Sequence, residues 1–215
     1  GHILTIEDPV EFLHKHKRSL INQREVGFDT HSYHTALRNA MREAPDVIMI
    51  GEILDRETME AAISFAETGH LCLTTLHANN ADQTLDRILS FFPESTKHTI
   101  LMNLSMNLQA IVSQRLCVGI DGQRVPAVEV LINTPLTRDI IRGGRLNELK
   151  EAMERSLENG MASFDQALYR LYQERRISRD EALAHADSRE GLALHMRFNE
   201  DAASNPLSPE EEALY

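Results

Sequence analysis

Three short apolar segments alternate with helix-like segments in the first part of the chain, and this alternation constrains the fold more than any other feature. The apolar segments cover residues 3–6, 47–50 and 71–76. Continuous apolar strands separated by helices are typical of a largely parallel sheet with helices on both faces. The sequence therefore predicts an α/β fold.

Capping and turn residues divide the rest of the chain. Ser32 and Asp55 are positioned to cap helices, and Gly69 to end the second of them. We expect a polar stretch to Thr30 with a turn signal at Gly27, helices at 32–42, 83–92 and 95–116, and a strand at 124–132 after a turn at Asp121-Gly122. After Thr134 the pattern is helical, with a capping box predicted at Ser178, a short strand at 192–198 and another helix start near Ser208.

Composition limits the partners and the compartment. The formal net charge is −11, which disfavours general binding to nucleic acid because that affinity comes largely from Lys and Arg. A basic run at residues 14–18 is interpreted as a solvated loop or hairpin face, with a subunit contact as the alternative. No apolar run approaches the roughly 20 residues that span a bilayer. Cys72 and Cys117 lie among apolar residues, which favours small core residues in a reducing compartment.

Each of the three apolar segments runs into acid, hydroxyl or imidazole groups. Glu7 and Asp8 end the first segment, Glu52 the second, and Thr75 with His77 the third. Ligands of open α/β sheets bind outside the carboxyl ends of the strands. Carboxylates gathered there can hold Mg²⁺ through water and orient a nucleophilic water. Taken singly, each acid can also be a helix cap or a solvated turn residue.

Two histidines bracket the third apolar segment, and each has two interpretations. His70 is either bonded to backbone at a strand start or catalytic, and His77 either caps a turn with Asn79 or Asn80 or is catalytic. A zinc site there is disfavoured because the histidines are far apart along an extended strand and the cysteines do not stand at ligand spacing from them.

Four motifs together resemble those of the secretion ATPase superfamily. Residues 3–11, I-L-T-I-E-D-P-V-E, resemble its Asp box, and residues 45–52 its Walker B segment. Residues 66–77 are similar to its His box, and residues 22–26, N-Q-R-E-V, to its arginine-bearing segment. All four occur in the family's order, which makes the joint match far more specific than any single one. Within that superfamily the chain resembles the type IV pilus retraction, or twitching-motility, ATPases of the PilT/PilU type.

The resemblance implies a RecA-like P-loop NTPase core and a cytoplasmic hexameric motor that uses ATP and Mg²⁺. We expect residues 1–133 to be the C-terminal part of that core, 134–200 an all-helical C-terminal region, and 201–215 a flexible acidic tail. The phosphate loop G-x-x-x-x-G-K-[ST], which the family carries shortly before the Asp box, does not occur in this sequence. We therefore expect no ATP hydrolysis by these residues alone. A strand pattern follows Gly1 at once, whereas domains rarely open that way, and we expect coding sequence before Gly1 for this reason.

The resemblance also assigns roles to residues that match the motifs. Glu52 would be the Walker B carboxylate that orients water or acts as base, while Glu7 and Glu11 would position the attacking water. Glu52 and Glu7 would hold Mg²⁺ through water, and His77 and His70 would sense the γ-phosphate. Arg24 is expected to supply charge to the phosphates, within its own subunit or across a subunit boundary. Further candidates for nucleotide contact are Asp8, Thr75, Arg38 and Arg42, although the two arginines, which share a helix side, can equally pair with surface acids.

A second resemblance lies in the helical region. Residues 134–142, T-P-L-T-R-D-I-I-R, resemble the family's A-I-R-N-L-I-R-E retraction motif, and they depart from it at Thr137, Asp139 and the following Gly143. Arg138 and Arg142 are predicted to contact the pilus machinery; the alternative is an ordinary amphipathic helix with two exposed arginines. Residues 160–168 are closer to the PilU type of accessory ATPase. The implied partners are further copies of the chain, a sister retraction ATPase and an inner-membrane platform protein, which would hold the motor peripherally at that membrane.

Two other functions fit parts of the sequence. A RecA-like recombinase or helicase would share the fold, but the net acidity and an aromatic content of 5% argue against it. A non-catalytic interaction module of the pilus motor would need no phosphate loop. Turnover stimulated by DNA would favour the first alternative, and no turnover at all would favour the second.

Overall fold

The computed structural model describes residues 1–156 and 160–204, with side chains to residue 199. The chain forms two compact units, each built from two stretches of sequence. The first unit comprises residues 1–111 and 132–152, and the second comprises residues 112–131 and the chain after residue 152. The domain boundary predicted between residues 133 and 134 does not coincide with this division by packing. That boundary stays a prediction.

The first unit contains a parallel sheet. Its strands are β1 (His2–Glu7), β2 (Leu20–Glu25), β3 (Val47–Ile50) and β4 (Leu71–Thr74). They lie in the order β2-β1-β3-β4, and all three neighbouring pairs are parallel. Ile6 aligns with Ile50, and Ile50 with Thr74, so the carboxyl ends of three strands lie side by side. The predicted α/β class is confirmed.

Four helices of the first unit begin at side chains that accept hydrogen bonds from free N–H groups of the first turn. Ser32, Asp55, Asn80 and Thr134 each accept a hydrogen bond from the backbone N–H three residues on. The prediction assigned caps at Ser32 and Asp55 but not at Asn80 or Thr134. The unit's helices are α1 (Tyr33–Ala40), α2 (Arg56–Glu67), α3 (Ala81–Ser90), α4 (Glu94–Asn107), α5 (Pro135–Arg142) and the first part of α6 (Leu149–Arg155).

Helix α1 is shorter than predicted. It ends at Ala40, and the chain continues as a 3₁₀ turn over Met41–Glu43. Arg42 therefore lies beyond the α-helix that was predicted to carry it together with Arg38. Helix α2 ends as predicted, with Gly69 at a φ of 91° that suits a residue without Cβ.

The sequence predicts no strand in the polar stretch that runs to Thr30, but β2 lies there. Its sequence, L-I-N-Q-R-E, has no continuous apolar run. As an edge strand it pairs only with β1 within the described chain, and edge strands carry polar residues more readily than central ones. The apolar signal that identifies β1 and β3 is therefore missing from β2.

The predicted helix over residues 95–116 is wrong beyond Asn107. Helix α4 ends there, and the chain continues as β5 (Ala110–Val118). The side-chain amide of Asn133 donates to the carbonyls of Ser105, at 2.9 Å, and Leu108, at 2.7 Å. These bonds satisfy carbonyl groups that the end of a helix leaves without partners.

The second unit combines a hairpin with three helices. Strand β5 and β6 (Arg124–Ile132) form a two-stranded sheet around the predicted turn, where Gly122 has a φ of 77°. The helices are α7 (Phe164–Gln173), α8 (Arg179–His185) and α9 (Arg189–Ser204). Their apolar faces and the hairpin enclose a core that includes Cys117, Val125, Phe164, Leu168, Leu183 and Met196.

Two predictions for the helical region need correction. The strand predicted at residues 192–198 is part of α9, where Leu192 and Met196 are both buried one helical turn apart. The capping box predicted at Ser178 is half formed: its hydroxyl accepts from Glu181 N–H at 3.1 Å, but the Glu181 carboxylate accepts from Val118 N–H instead. A complete capping box occurs at Ser163.

Residues 201–204, predicted to be flexible, continue helix α9. The rest of the predicted tail, with the helix start near Ser208, lies outside the described residues. Both cysteines are free thiols within the described chain: Cys117 is buried, and burial raises the pKa of Cys72 to about 11. None of the described helices combines the length and apolar character needed to cross a bilayer.

Candidate active site

The carboxyl edge of the sheet gathers the acids that follow its strands. Glu7 is the last residue of β1, and Glu52 follows β3 after one glycine. The Thr75 hydroxyl donates to Gly51 O at 2.5 Å, and Thr75 O accepts from Ile53 N–H at 3.1 Å. These bonds fix the end of β4 against the end of β3. The hydroxyl proton of Thr75 is therefore committed to the backbone rather than to a ligand.

Glu7 is held in a defined position within this edge. Its side chain is buried, with 6% of the residue exposed. One carboxylate oxygen accepts from the Thr5 hydroxyl at 2.6 Å and from Gln23 Nε2 at 3.1 Å. Gln23 stands opposite Thr5 in the β1–β2 register. The sequence argument missed Gln23 as a positioning residue, because its role depends on the pairing of a strand that was not predicted.

Glu52 and His77 are brought together from two loops. His77 Nε2 lies 3.1 Å from Glu52 Oε2, and the side chains are 81% and 29% exposed, respectively. Asn80 caps α3 by accepting from Gln83 N–H, and the Asn79 amide donates to the Gln83 side chain. The arrangement leaves the imidazole accessible beside the carboxylate.

Tyr33 is a site residue that sequence reasoning missed. Its hydroxyl is buried without a well-formed hydrogen bond in the described chain. Burial raises the pKa of Tyr33, and the charges of Glu52, Asp8 and Glu7 raise it further, while the nearby backbone of Glu52 partly offsets this. The only sequence signal is its place directly after the helix cap Ser32.

Gly51 allows this close arrangement. A Cβ atom at Gly51 would lie 3.2 Å from Glu7 Cα and 3.3 Å from the Tyr33 hydroxyl oxygen. Both distances are tighter than ordinary carbon contacts. A side chain here would therefore push apart the end of β1 and the start of α1.

The electrostatics of the edge favour a cation. Glu7, Asp8 and Glu52 all act on Tyr33 through their charge. Within the described residues, no Lys or Arg forms an ion pair with any of these three carboxylates. Carboxylates that lack a protein cation are suited to hold Mg²⁺ through water.

Two of the predicted acids lie on the exposed loop after β1. Asp8 is exposed at the cis Asp8–Pro9 peptide bond, and Glu11 is exposed further along. The loop is tied to β2 by hydrogen bonds from Val10 N–H to Glu25 and from His14 N–H to Gln23. Asp8 therefore stands near the acid edge, whereas Glu11 makes no described contact with it.

The structure separates Arg24 and His70 from the acid edge. Side chains alternate along a strand, so Arg24 lies on the opposite face of β2 from Gln23, and it forms an ion pair with Glu43. His70 precedes β4, at the end of that strand away from His77. Its Nδ1 lies 3.0 Å from the Thr68 hydroxyl oxygen. Any contact of Arg24 or His70 with nucleotide stays a prediction.

Arg38 and Arg42 make no ion pair in the described chain. Arg38 borders a groove of about 280 Å³ between α1 and α2, together with Glu57 and Glu60. Arg42 is exposed in the 3₁₀ turn. Their predicted contact with nucleotide also stays a prediction.

Helix α5 carries the two arginines predicted to bind a partner. Arg138 and Arg142 line a groove of about 230 Å³ between α4 and α5, with Met102 and Met106 on its other side. Neither arginine forms an ion pair within the described residues, while Asp139 in the same groove pairs with a different arginine. The groove therefore combines thioether groups with two positive charges.

The open parallel sheet, with Glu7 and Glu52 at its carboxyl edge, has the RecA-like fold of the secretion ATPases. Residues 1–156 match the family described as Type II/IV secretion system protein, and the chain belongs to this family. The resemblance drawn from the motifs is thereby confirmed.

Two relatives within the family are pilus ATPases. The chain is 53% identical to the type IV pilus ATPase PilU of Pseudomonas aeruginosa over all 215 residues, which cover 56% of PilU. It is 44% identical to the retraction ATPase PilT of the same organism over 181 residues, 84% of this chain and 53% of PilT. The crystal structure of the pilus retraction motor PilT with bound ADP matches with a TM-score of 0.81 and 44% identity, over 87% of this chain and 53% of that one. The chain spans about half the length of these relatives.

Proposed function

We propose that this chain supplies the hydrolytic residues of an ATP-driven motor that retracts type IV pili from the cytoplasmic side of the inner membrane. The observation that carries the proposal is the acid edge, where Glu7, Asp8 and Glu52 gather around the buried Tyr33 hydroxyl. The pilus ATPases to which the chain is similar support the choice of motor.

Mg²⁺ bound with ATP fits the residues at this edge. The carboxylates lack a described protein cation, and the Tyr33 hydroxyl lacks a well-formed hydrogen bond within the described chain. Glu52 and Glu7 would hold the ion through water, and Asp8 would add negative charge. When bound, Mg²⁺ neutralises charge that develops on the transferred phosphoryl group.

Each side chain at the acid edge would have its own role in ATP hydrolysis. Glu52 orients the attacking water or takes its proton, and its hydrogen bond to His77 links that carboxylate to the loop after β4. Loss of the γ-phosphate would change this contact, and His77 would pass the change to the neighbouring domain. Glu7, held by Thr5 and Gln23, is fixed enough to position water.

Some predicted roles require a second copy of the chain. Arg24 is directed away from the acid edge, and Arg38 lies apart from that edge. Both would therefore act on nucleotide bound by a neighbouring subunit. We propose a ring, expected to be a hexamer, in which such arginines complete the site. Glu11 and Arg42, both exposed, are the further candidates for these contacts.

The α4–α5 groove is proposed to bind the pilus machinery. A partner segment with apolar and acidic side chains would fit, because the methionines can repack around apolar groups and the arginines can pair with carboxylates. The platform protein of the inner membrane and a sister retraction ATPase are the expected partners. Replacing Arg138 and Arg142 together by Ala should abolish binding and twitching while leaving ATP turnover intact. Arg170→Ala, an exposed arginine of α7, is the matched control.

The test of the catalytic proposal uses Glu52→Gln in a longer chain that includes a phosphate loop. We expect turnover to fall by at least about a hundredfold, because a water-activating carboxylate contributes on that order, while ATP binding is retained. Glu60→Gln, at an exposed acid of α2, should leave turnover unchanged. Full turnover in Glu52→Gln would remove the Walker B assignment. No turnover in the unaltered longer chain would favour the interaction module instead.

A further inference from the structure

Three residues of the second unit bring metal-binding atoms together. Cys117 lies on β5, and Glu181 and His185 lie on α8. Cys117 Sγ, a Glu181 carboxylate oxygen and a His185 ring nitrogen all lie within 4.8 Å of one another. No part of the proposed ATPase function uses these side chains.

The local structure places all three donors close together. Burial alternates along β5, and Cys117 points inward with none of its surface exposed. Helix α8 begins at its cap Ser178, which sets Glu181 and His185 one turn apart on the same face. Both of these side chains are partly exposed, at 22% and 34%. The thiol is therefore the buried donor of the cluster, and solvent reaches the carboxylate and the imidazole.

The cluster is anchored to backbone on both elements. Glu181 Oε1 accepts from Val118 N–H at 2.6 Å and lies 3.1 Å from His185 Nε2. At the end of α8, His185 O accepts from Arg115 Nη1 at 2.7 Å, and Arg115 also pairs with Asp187 at 2.6 Å. These contacts hold α8 against β5 and limit how far the donors can separate.

The donor set matches zinc better than other common cations. Thiolate sulfur, imidazole nitrogen and carboxylate oxygen bind Zn²⁺ at about 2.0–2.3 Å, often as three protein ligands with water in a fourth position. Magnesium and calcium favour sites made of oxygen ligands alone, and one of these three donors is a thiol. A thiolate, a carboxylate and Zn²⁺ also sum to zero charge, so the ion adds no uncompensated charge to a largely buried place.

We propose that Cys117, Glu181 and His185 bind one zinc ion that joins β5 to α8. The arrangement is not visible as a sequence motif, because the cysteine and the helical pair come from distant parts of the chain. Without an ion the same contacts form a hydrogen-bonded Glu181–His185 pair beside a thiol, and the experiment below distinguishes the two.

The test is metal titration of the 215-residue chain after chelator treatment and dialysis. Co²⁺ should bind in a one-to-one ratio with a thiolate-to-cobalt charge-transfer band and intense tetrahedral d–d bands, and Zn²⁺ should abolish both. Zn²⁺ should also raise the thermal midpoint, because an ion that binds only the folded chain stabilises it. These spectra do not depend on ATP turnover, so the result is independent of the proposed function.

Matched variants assign the ligands. Cys117→Ala should remove the charge-transfer band, and His185→Gln should weaken zinc binding by at least about tenfold, on the order of a lost metal contact. Cys72→Ala and His98→Gln, at the other cysteine and an exposed histidine, should bind as the unaltered chain does. His185 is partly exposed, so its variant tests the site even where Cys117→Ala does not fold. Absence of a thiolate band, or equal zinc affinity in all four variants, would overturn the proposal.

Discussion

Tyr33 offers a direct test of the acid edge through stability. Its hydroxyl is buried without a well-formed hydrogen bond, and a buried hydroxyl in that state costs about 1–3 kcal/mol. Tyr33→Phe removes the oxygen and keeps the ring. We expect the free energy of unfolding to rise by about 1–2 kcal/mol in Mg²⁺-free buffer. For a chain of this size, each kcal/mol corresponds to about 2–4 °C in Tm.

The pH dependence gives the same substitution a second readout. Burial and three nearby carboxylates raise the pKa of Tyr33 above its ordinary 10.0. The folded chain therefore keeps this proton at a pH where the unfolded chain releases it. Stability from this source is fully present below about pH 10 and is lost as pH rises through the folded pKa. Tyr33→Phe removes that contribution, so the variant should lose less stability than the unaltered chain in alkaline buffer.

Urea unfolding followed by far-UV circular dichroism measures both effects. Tyr169→Phe is the control, because the Tyr169 hydroxyl already accepts from Gln173 Nε2 at 3.0 Å, and its loss should be neutral or slightly destabilising. A Tyr33→Phe chain that unfolds at lower urea with an unchanged m-value would refute the reasoning. A more stable chain whose longer form keeps full turnover would leave the hydroxyl outside the catalytic site.

Two further substitutions test packing elsewhere. Cys72→Ala should make stability less dependent on pH, because the pKa of the folded thiol is about 11 instead of 9.0. In urea unfolding at about pH 11, the unaltered chain should have lost about 2 kcal/mol of stability relative to the variant. Arg115→Lys should lower the free energy of unfolding by about 2 kcal/mol, since Arg115 stacks 3.8 Å from the centre of the Phe164 ring and pairs with Asp187. Arg56→Lys, whose ion pair is half exposed, should change it by less than about 0.5 kcal/mol, and equal losses in the two lysine variants would contradict the argument.

The sequence predicts three strands of the four-stranded sheet and misses β2. Strand β1 is buried on both faces from Leu4 onward, and β3 alternates buried with half-buried side chains; the apolar runs of both make them recognisable without a structure. Strand β2 lies at the edge, and its polar sequence resembles that of a loop. The apolar pattern of β5 continues that of the preceding segment and also suits a helix. Periodicity alone cannot assign such short segments, because tertiary pairing decides between them.

The same distinction applies to the site. Glu7, Glu52 and His77 are predictable because each follows a recognisable strand. Gln23 and Tyr33 are not predictable, since they reach the acid edge only through the β1–β2 register and the approach of α1 at Gly51. Residues that act through pairing across the sheet leave no local pattern in the sequence.

The two compact units are interleaved along the chain. The backbone passes from one to the other after residues 111, 131 and 152, so no single cut releases either unit as one continuous polypeptide. A chimaera joined near residue 133 would take part of each unit from one parent and the rest from the other. Interleaving also ties their folding together during synthesis, because the first unit stays incomplete until the hairpin strands of the second have left the ribosome. A single crossover anywhere between residues 112 and 152 would therefore divide both units between two parents.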